Sequence, residues 1–402
     1  MTGSDAWVGS HLVSDVLGWW AANGPDEAHG GVLTCWNNHG TELVATDKYT
    51  WSQGRWAWLT AQVAANADAL GVDGAAYRRW SRETSAFVRE HAVLSDQRTA
   101  FVTTRTGEPF EPVPGRGLHT SIFADLFAAL GFAGTAQLEP DEGWGDLALT
   151  ILERSAEAIW SGPVRSDPYP VPGGHRSLAL PMILTGVGQQ VHAATGAEAA
   201  AQVVRAAADE LTDHFLTGDD LPEMPPDDGT TDTLLARHRT PGHIVELAWF
   251  LARARHLFDG PLADPDRLAR ISLRALDIGW DSEHGGLLRF VDAEGGQPTG
   301  TGSDSPYEAM VQSTWDTKLW WPHAEALYTV RLLSDLTGNT DLAQWYQRLE
   351  DYTRATFPAG PGAEWVQIRD RSGAPLAETV ALPVKDPFHI ARALLLLWEH
   401  TK

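Results

Sequence analysis

Residues 240–246 read Thr240-Pro241-Gly242-His243-Ile244-Val245-Glu246, and residues 386–392 read Asp386-Pro387-Phe388-His389-Ile390-Ala391-Arg392. Each stretch offers a helix N-cap residue, a proline at the first helical position, where a missing N–H costs nothing, and a histidine at the third. The histidines are 146 residues apart, about two lengths of the internal repeat described below. Helices that start on the same rim of a repeating structure can aim both imidazoles at one cavity. The positive end of a helix dipole opposes protonation, so both rings are expected to be neutral near pH 7 and able to act as bases. The plainer alternative is that each histidine satisfies only its own helix end.

Outward from these stretches, apolar residues recur with helical spacing. Leu12, Val13, Val16, Leu17 and Trp20 form one stripe, and others run at 52–70, 74–92, 118–131, 143–160, 178–195, 198–216, 241–257, 264–278, 322–336, 340–356 and 387–400. That predicts about twelve helices. Between them lie alternating stretches that turn at a glycine: 32–43 around Gly40, 100–110 around Gly107, 287–298 around Gly295 and 364–375 around Gly373. Each is expected to be a β-hairpin. Gly40 and Gly107 are 67 residues apart, Gly295 and Gly373 are 78 apart, and 402 residues divide into six units of 67. Six helix pairs of that size close into an all-α (α/α)6 barrel, a toroid with short β-hairpins on one rim. An open solenoid is the competing arrangement. No linker divides the chain, and 219–231 and 292–306 have the composition of rim loops, so residues 1–402 are expected to form a single catalytic domain.

Composition narrows the chemistry. Thirty Lys plus Arg against 53 Asp plus Glu give a net charge of −23, a field that repels polyanions, so no nucleic-acid partner is expected. A hydrophobic share of 43% with 21% charged residues suits a large packed core. The single cysteine, Cys35, excludes an internal disulfide and a thiolate zinc site. The start of the chain lacks the pattern of a signal peptide, and the longest aliphatic run, Leu394–Leu397, is too short to span a bilayer. A cytoplasmic protein without membrane attachment is therefore expected. Metal-binding His-Glu-x-x-His, phosphate-binding and dinucleotide-binding glycine motifs are all missing, so neither metal nor cofactor is expected. The 18 tryptophans cluster, as at Trp19-Trp20, Trp51 with Trp56 and Trp58, and Trp315 with Trp320-Trp321. Flat rings pack cores, and they also cover the C–H faces of a pyranose.

Spacing suggests partners for the histidines. Glu246 follows His243 by three residues and Arg392 follows His389 by three, on the same helical faces, so Glu246 is expected either to orient His243 or to form an ordinary ion pair. Trp320-Trp321-Pro322-His323-Ala324-Glu325 opens a third helix, with aromatic walls, a polar floor at Glu325 and a structural His323. Leu180-Pro181-Met182 opens a fourth, without an ionisable group. In 47–55, Asp-Lys-Tyr-Thr-Trp-Ser-Gln-Gly-Arg, cations stand at a helix start, where the dipole disfavours them. Lys48 and Arg55 therefore require an anionic partner, either a substrate oxygen or a neighbouring carboxylate.

These motifs resemble the N-acylglucosamine 2-epimerase family, which includes cellobiose 2-epimerases and mannose or sulfoquinovose aldose-ketose isomerases. The resemblance runs through 47–55, 121–125, 177–182, 237–250, 279–286, 318–327 and 385–392, and rests on Pro-Gly-His-x-x-Glu, Lys-Leu-Trp-Trp-Pro-His-x-Glu and Asp-Pro-Phe-His-Ile-x-Arg together. It implies an (α/α)6 barrel and cofactor-independent proton transfer at C2 of a ring-opened monosaccharide. His243 and His389 would be the acid/base pair, Arg55 would hold the oxygens at C1 and C2, and Glu246 would support His243. Trp51, Lys48, Trp321, Glu325, Met182, Phe388 and Arg392 are expected at the sugar site, and a homodimer is compatible with the resemblance.

By the same resemblance, isomerase-type and cellobiose-type members carry an additional histidine where this chain has Met182, and N-acylglucosamine epimerases carry methionine there, as here. The plainer alternative is that Met182 only packs against its neighbours, and the segment 299–311 looks longer than in the N-acylglucosamine epimerases. Return of the proton to the other face of C2 gives an epimer, and its return to C1 a ketose, so the same residues serve a 2-epimerase of an N-acylhexosamine or hexose and an aldose-ketose isomerase. Two readings belong to other classes. A glycoside hydrolase needs two opposed carboxylates, for which Asp219-Asp220 and Asp227-Asp228 are the only clusters. A sugar-binding protein would keep the aromatics without needing two such histidines.

Overall fold

A computed structural model describes residues 3–303 and 305–402. Among the described residues, twelve principal helices build the architecture. Helix α1 spans 3–23, with a π-helical stretch at Leu12–Leu17; α2 is Thr50–Ala65, α3 Gly74–Phe87, α4 Ile122–Leu138, α5 Trp144–Ser161 and α6 Ala179–Thr195. Then follow α7 Glu198–His214, α8 Pro241–Ala254, α9 Pro265–Gly279, α10 Trp320–Thr337, α11 Thr340–Thr356 and α12 His389–His400.

The even-numbered helices form an inner ring in which α2 packs on α4, α4 on α6, α6 on α8, α8 on α10, α10 on α12, and α12 back on α2. The odd-numbered helices form the outer layer, and α1 packs on α12, so the first and last helices close the circle. This is the closed (α/α)6 barrel; the open solenoid is excluded. Sequence separates the layers. From Ile122 to Ala136, α4 is buried on every side, as a helix between two layers must be. In α9 only one stripe is buried, including Leu268, Ile271, Ala275 and Leu276; Asp264 caps its first turn and Pro265 occupies the first position.

The expected glycine turns are present, with Gly40, Gly107, Gly295 and Gly373 all at positive φ, and the local antiparallel bridges Trp36–Leu43, Thr103–Pro109 and Arg369–Pro375 close three of the expected hairpins; the two-residue ladders join segments further apart. Strand β1 (Lys48–Tyr49) pairs with β2 (Val102–Thr103), β3 (His238–Arg239) with β4 (Val291–Asp292), and β5 (Lys318–Leu319) with β6 (Ile368–Arg369), all antiparallel. Each pair joins the segment entering an inner helix to the segment leaving the following outer helix. A glycine turn bonds locally, whereas this ladder requires the helix pair between its strands to be formed.

Two further expectations change. Part of the predicted loop at 299–311 belongs to a short helix, Pro306–Thr314, whose cap Ser305 accepts from the Tyr307 N–H. Helix α12 begins at His389, not at Pro387, yet the Asp386 carboxylate still accepts the His389 N–H at 2.8 Å, so the cap acts without the intervening turn. Among the described residues, no helix is long and apolar enough to cross a membrane.

Three lysines are wholly buried at the rim. Lys48 pairs with Asp26 at 3.1 Å, Lys318 with Asp281 at 3.3 Å and Lys385 with Glu364 at 2.8 Å. In each pair the segment before an inner helix is tied to the segment after the preceding outer helix. Gly54 sets the spacing of α2 and α4: a Cβ there would lie 1.9 Å from the Phe127 carbonyl oxygen. This close approach brings the next residue, Arg55, over the Phe127 ring at 4.1 Å.

Candidate active site

The cavity opens at the rim where the inner helices begin and encloses about 980 Å³ of atom-free space, its open mouth included. Trp51, Arg55, Met182, His243, Glu246, Trp321 and His389 all line it, as expected from sequence. The two imidazoles meet one indole: the Trp321 centroid is 5.1 Å from that of His243 and 5.8 Å from that of His389. The imidazoles can therefore be no further apart than the sum of those distances. Gly242 makes the arrangement possible, since a Cβ there would lie 2.5 Å from the Trp321 ring.

Both histidines are anchored through Nδ1. His243 Nδ1 is 3.0 Å from each oxygen of Glu223, and His389 Nδ1 is 2.8 Å from Glu325 Oε1. A carboxylate only accepts, so Nδ1 carries the hydrogen and Nε2 is left for a ligand. Burial, the largest influence on His243, works to lower its pKa, but the charge and hydrogen bond of Glu223, with Glu246 beyond, outweigh it and raise the pKa above the ordinary value. The helix-dipole expectation of a lowered value is thus corrected for His243, because a buried carboxylate in contact outweighs a partial charge at the helix end.

Glu246 also departs from expectation. Its carboxylate takes a short hydrogen bond from Arg392 Nη2, which also bonds Glu325 Oε1 at 2.7 Å, and Glu246 Oε1 lies 3.8 Å from His389 Nδ1. Being one turn deeper than His243, Glu246 meets Arg392, the residue one turn deeper than His389 on the facing helix. Burial alone would raise the Glu325 pKa, but Arg392 and His389 hold it below the usual carboxylate range. Glu325 and Arg392 therefore form a buried layer beneath the cavity. Phe388 lies in the same layer, with the Arg392 guanidinium 4.3 Å and that of Arg55 5.1 Å from its ring centroid. Lys48 has no place at the site: its ammonium is spent on Asp26 and on the carbonyls of Gly30 and Arg105. Neither do the acidic clusters: Asp219 and Asp220 pair with Arg270 and Arg239, and Asp227 with Arg176.

Arg55 donates to Asp386 at 3.4 Å, while its Nε is buried without a partner. Burial lowers its pKa to about 10, still charged at neutrality. Asp386 also accepts from Trp320 Nε1 at 3.0 Å, which ties the wall of the cavity to the start of α12. His323 is structural: it accepts the Leu287 N–H at 2.8 Å, and burial lowers its pKa to about 3.

Several lining residues escaped the sequence analysis: Glu223, Tyr169, Met224, Arg289, Tyr307 and Met310. Glu223 had one usable signal, an acidic residue set among Leu221, Pro222 and Met224 instead of within the neighbouring aspartate clusters.

The family description N-acylglucosamine 2-epimerase (GlcNAc 2-epimerase) matches residues 186–393. An N-acylglucosamine 2-epimerase of Bos taurus is 26% identical over 403 residues, covering 96% of this chain and 88% of the relative, and that of Homo sapiens is 26% identical over 408 residues, covering 98% and 88%. Among solved structures, a sugar epimerase from a ruminal bacterium superposes with a TM-score of 0.78 at 15% identity over 99% of both chains. A D-mannose isomerase gives 0.75 at 16% over 100% of this chain and 99% of its own. With its family signature matched over half its length, on a barrel whose first and last helices close one ring around two carboxylate-anchored histidines, the chain belongs to the N-acylglucosamine 2-epimerase family.

Proposed function

We propose that this protein is a cofactor-independent sugar epimerase that moves the C2 proton of a ring-opened free monosaccharide, an N-acylhexosamine or hexose, with the C2 epimer as main product. One observation carries the proposal: two imidazoles, each holding a carboxylate through Nδ1, flank the single indole of Trp321. The name shared by the mammalian relatives supports the same chemistry.

A C2 proton is acidic only beside a carbonyl, so the pyranose opens first. The free Nε2 of one neutral imidazole removes the proton, giving an enolate that is a cis-enediolate when the sugar is a hexose, and the protonated Nε2 of the other returns one to the opposite face. Arg55, charged and with an unpartnered Nε, stabilises the oxygen at C1 as charge develops there. Trp51, Trp320 and Trp321 keep water from the intermediate. Glu325 holds His389 directly, and Arg392 and Glu246 fix Glu325 from below. A cytoplasmic location is part of this proposal, and a lone buried thiol at Cys35 is compatible with it.

A retaining or inverting hydrolase would need a free carboxylic acid in the cavity. Both lining carboxylates, Glu223 and Glu246, are instead committed to His243 and Arg392. Incubation in D2O with free aldoses and N-acetylhexosamines, followed by NMR, tests the proposal: deuterium at C2 with formation of the epimer is expected, and binding without exchange would overturn it.

A further inference from the structure

Arg289 lies in the segment between α9 and β4, lines the cavity and is only 6% exposed. Its hydrogen-bond partners are all neutral: Nη1 donates to Thr314 Oγ1 at 3.0 Å, and Nη2 to the Tyr169 hydroxyl at 3.1 Å and to Met310 Sδ at 3.6 Å. No carboxylate pairs with it among the described residues. Its surroundings are apolar. Phe290, over which the guanidinium sits at 4.8 Å, belongs to a small hydrophobic cluster with Tyr307, against which Tyr169 and Met310 pack. A cation this deeply buried is costly without an anion. Arg55, the other guanidinium lining the cavity, has Asp386.

The two arginines serve different ends of the space. Arg55 contacts Trp51, Phe127, Phe388 and Asp386; Arg289 contacts none of these. Arg289 is nonetheless near enough to His243 for its charge to act on that imidazole. A sugar whose C1 and C2 lie between Arg55 and the histidines would extend its far end toward Arg289. We infer that Arg289 and Tyr169 form a subsite for an oxyanion substituent, carboxylate or phosphate, on the end of the sugar remote from C1. This rests on the proposed reaction for the sugar's orientation. The missing counter-charge would then be the substrate's own, and a guanidinium matches a planar or tetrahedral oxyanion through two parallel N–H groups. A net charge of −23 elsewhere disfavours anions in general, so such a ligand needs a local cation of this kind.

The experiment compares D-glucose and N-acetyl-D-glucosamine with D-glucuronate and with glucose 6-phosphate, reading C2 deuterium exchange and, separately, calorimetric binding. The wild-type protein is expected to prefer at least one anionic sugar over its neutral counterpart by about tenfold to a hundredfold, the scale of a charge-assisted hydrogen bond. Carboxylate and phosphate arms tell the two sources apart. Arg289→Gln should abolish the preference, and Arg289→Lys should restore part of it. Equal handling of neutral and anionic sugars by the wild type, which requires no variant, overturns the inference and leaves the epimerase reading intact. An equal loss for both classes in Arg289→Gln also overturns it, since Arg289 would then serve only the surrounding cluster. Anionic sugars bound through Arg289 without exchange would uphold the subsite and remove the reaction.

Discussion

His243 Nδ1 lies 3.0 Å from both oxygens of Glu223, a residue 20 positions earlier that reaches the cavity from the loop between α7 and β3. The carboxylate raises the pKa of the imidazole against the effect of burial, and its own is lowered in return. His243 must be neutral to remove a proton, so kcat/KM should rise with pH through a value above the ordinary histidine range. Glu223→Gln removes the charge that favours imidazolium, and the acidic limb of the profile should move to lower pH. An unmoved limb would detach Glu223 from His243. The stability sign is opposite: a raised folded pKa contributes stability that is fully present below the unfolded value and is lost as pH rises through the folded one.

His243→Ala and His389→Ala should each lower turnover by about 10²-fold or more, the usual scale for a general acid or base. The fold should survive, because Pro241 still starts α8 and Asp386 still accepts the N–H of residue 389. Full activity in either variant, with circular dichroism unchanged, would remove that histidine from the mechanism.

Gly242 is where the wall of the site is most tightly drawn, a Cβ there standing 2.5 Å from Trp321. Gly242→Ala should displace the indole and cost about 10-fold or more in kcat/KM, since small misplacements near reacting groups are expensive. Intrinsic tryptophan fluorescence should change with the loss; wild-type kinetics would show that Trp321 does not position the histidines.

Lys48, expected from sequence at the sugar site, is instead a buried tie to Asp26. Lys48→Met should therefore destabilise the protein by about 3 kcal/mol, the scale for breaking a buried pair, with KM altered less than about twofold. Chemical denaturation and steady-state kinetics on one preparation separate the two effects. A large rise in KM at unchanged stability would return Lys48 to the sugar.

Met182 lines the cavity, at the position where the resemblance to isomerase-type members would imply an imidazole. A thioether can neither shuttle a proton nor hold a charged oxygen, so the route from C2 to C1 lacks a carrier. The C2-epimeric aldose should predominate, and Met182→His should increase the ketose fraction. A ketose as main product of the wild type, with label moved from C2 to C1, would show that this position does not decide the outcome.

By itself the sequence determined the helical repeat, because burial between two layers and burial on one face leave different periodicities, as in 122–138 and 265–279. It also placed His243 and His389 in the first turns of two inner helices, although Thr240 makes no side-chain cap bond and Pro387 stands outside α12, which starts at His389. The tertiary structure alone decided the partners. Glu246 and His243 share a helical face, yet the facing helix offers Arg392 at the depth of Glu246, and a loop brings Glu223 to the depth of His243. Local spacing contains no measure of depth along a neighbouring helix. Lys48 and Arg289 differ for the same reason: each is a lone cation in the sequence, and only the closed ring shows that one meets Asp26 while the other faces the cavity with neutral partners. Ion pairing depends on distances between side chains on different segments, and those of Glu246 and Arg392, 146 residues apart, exist only once α8 and α12 share one ring.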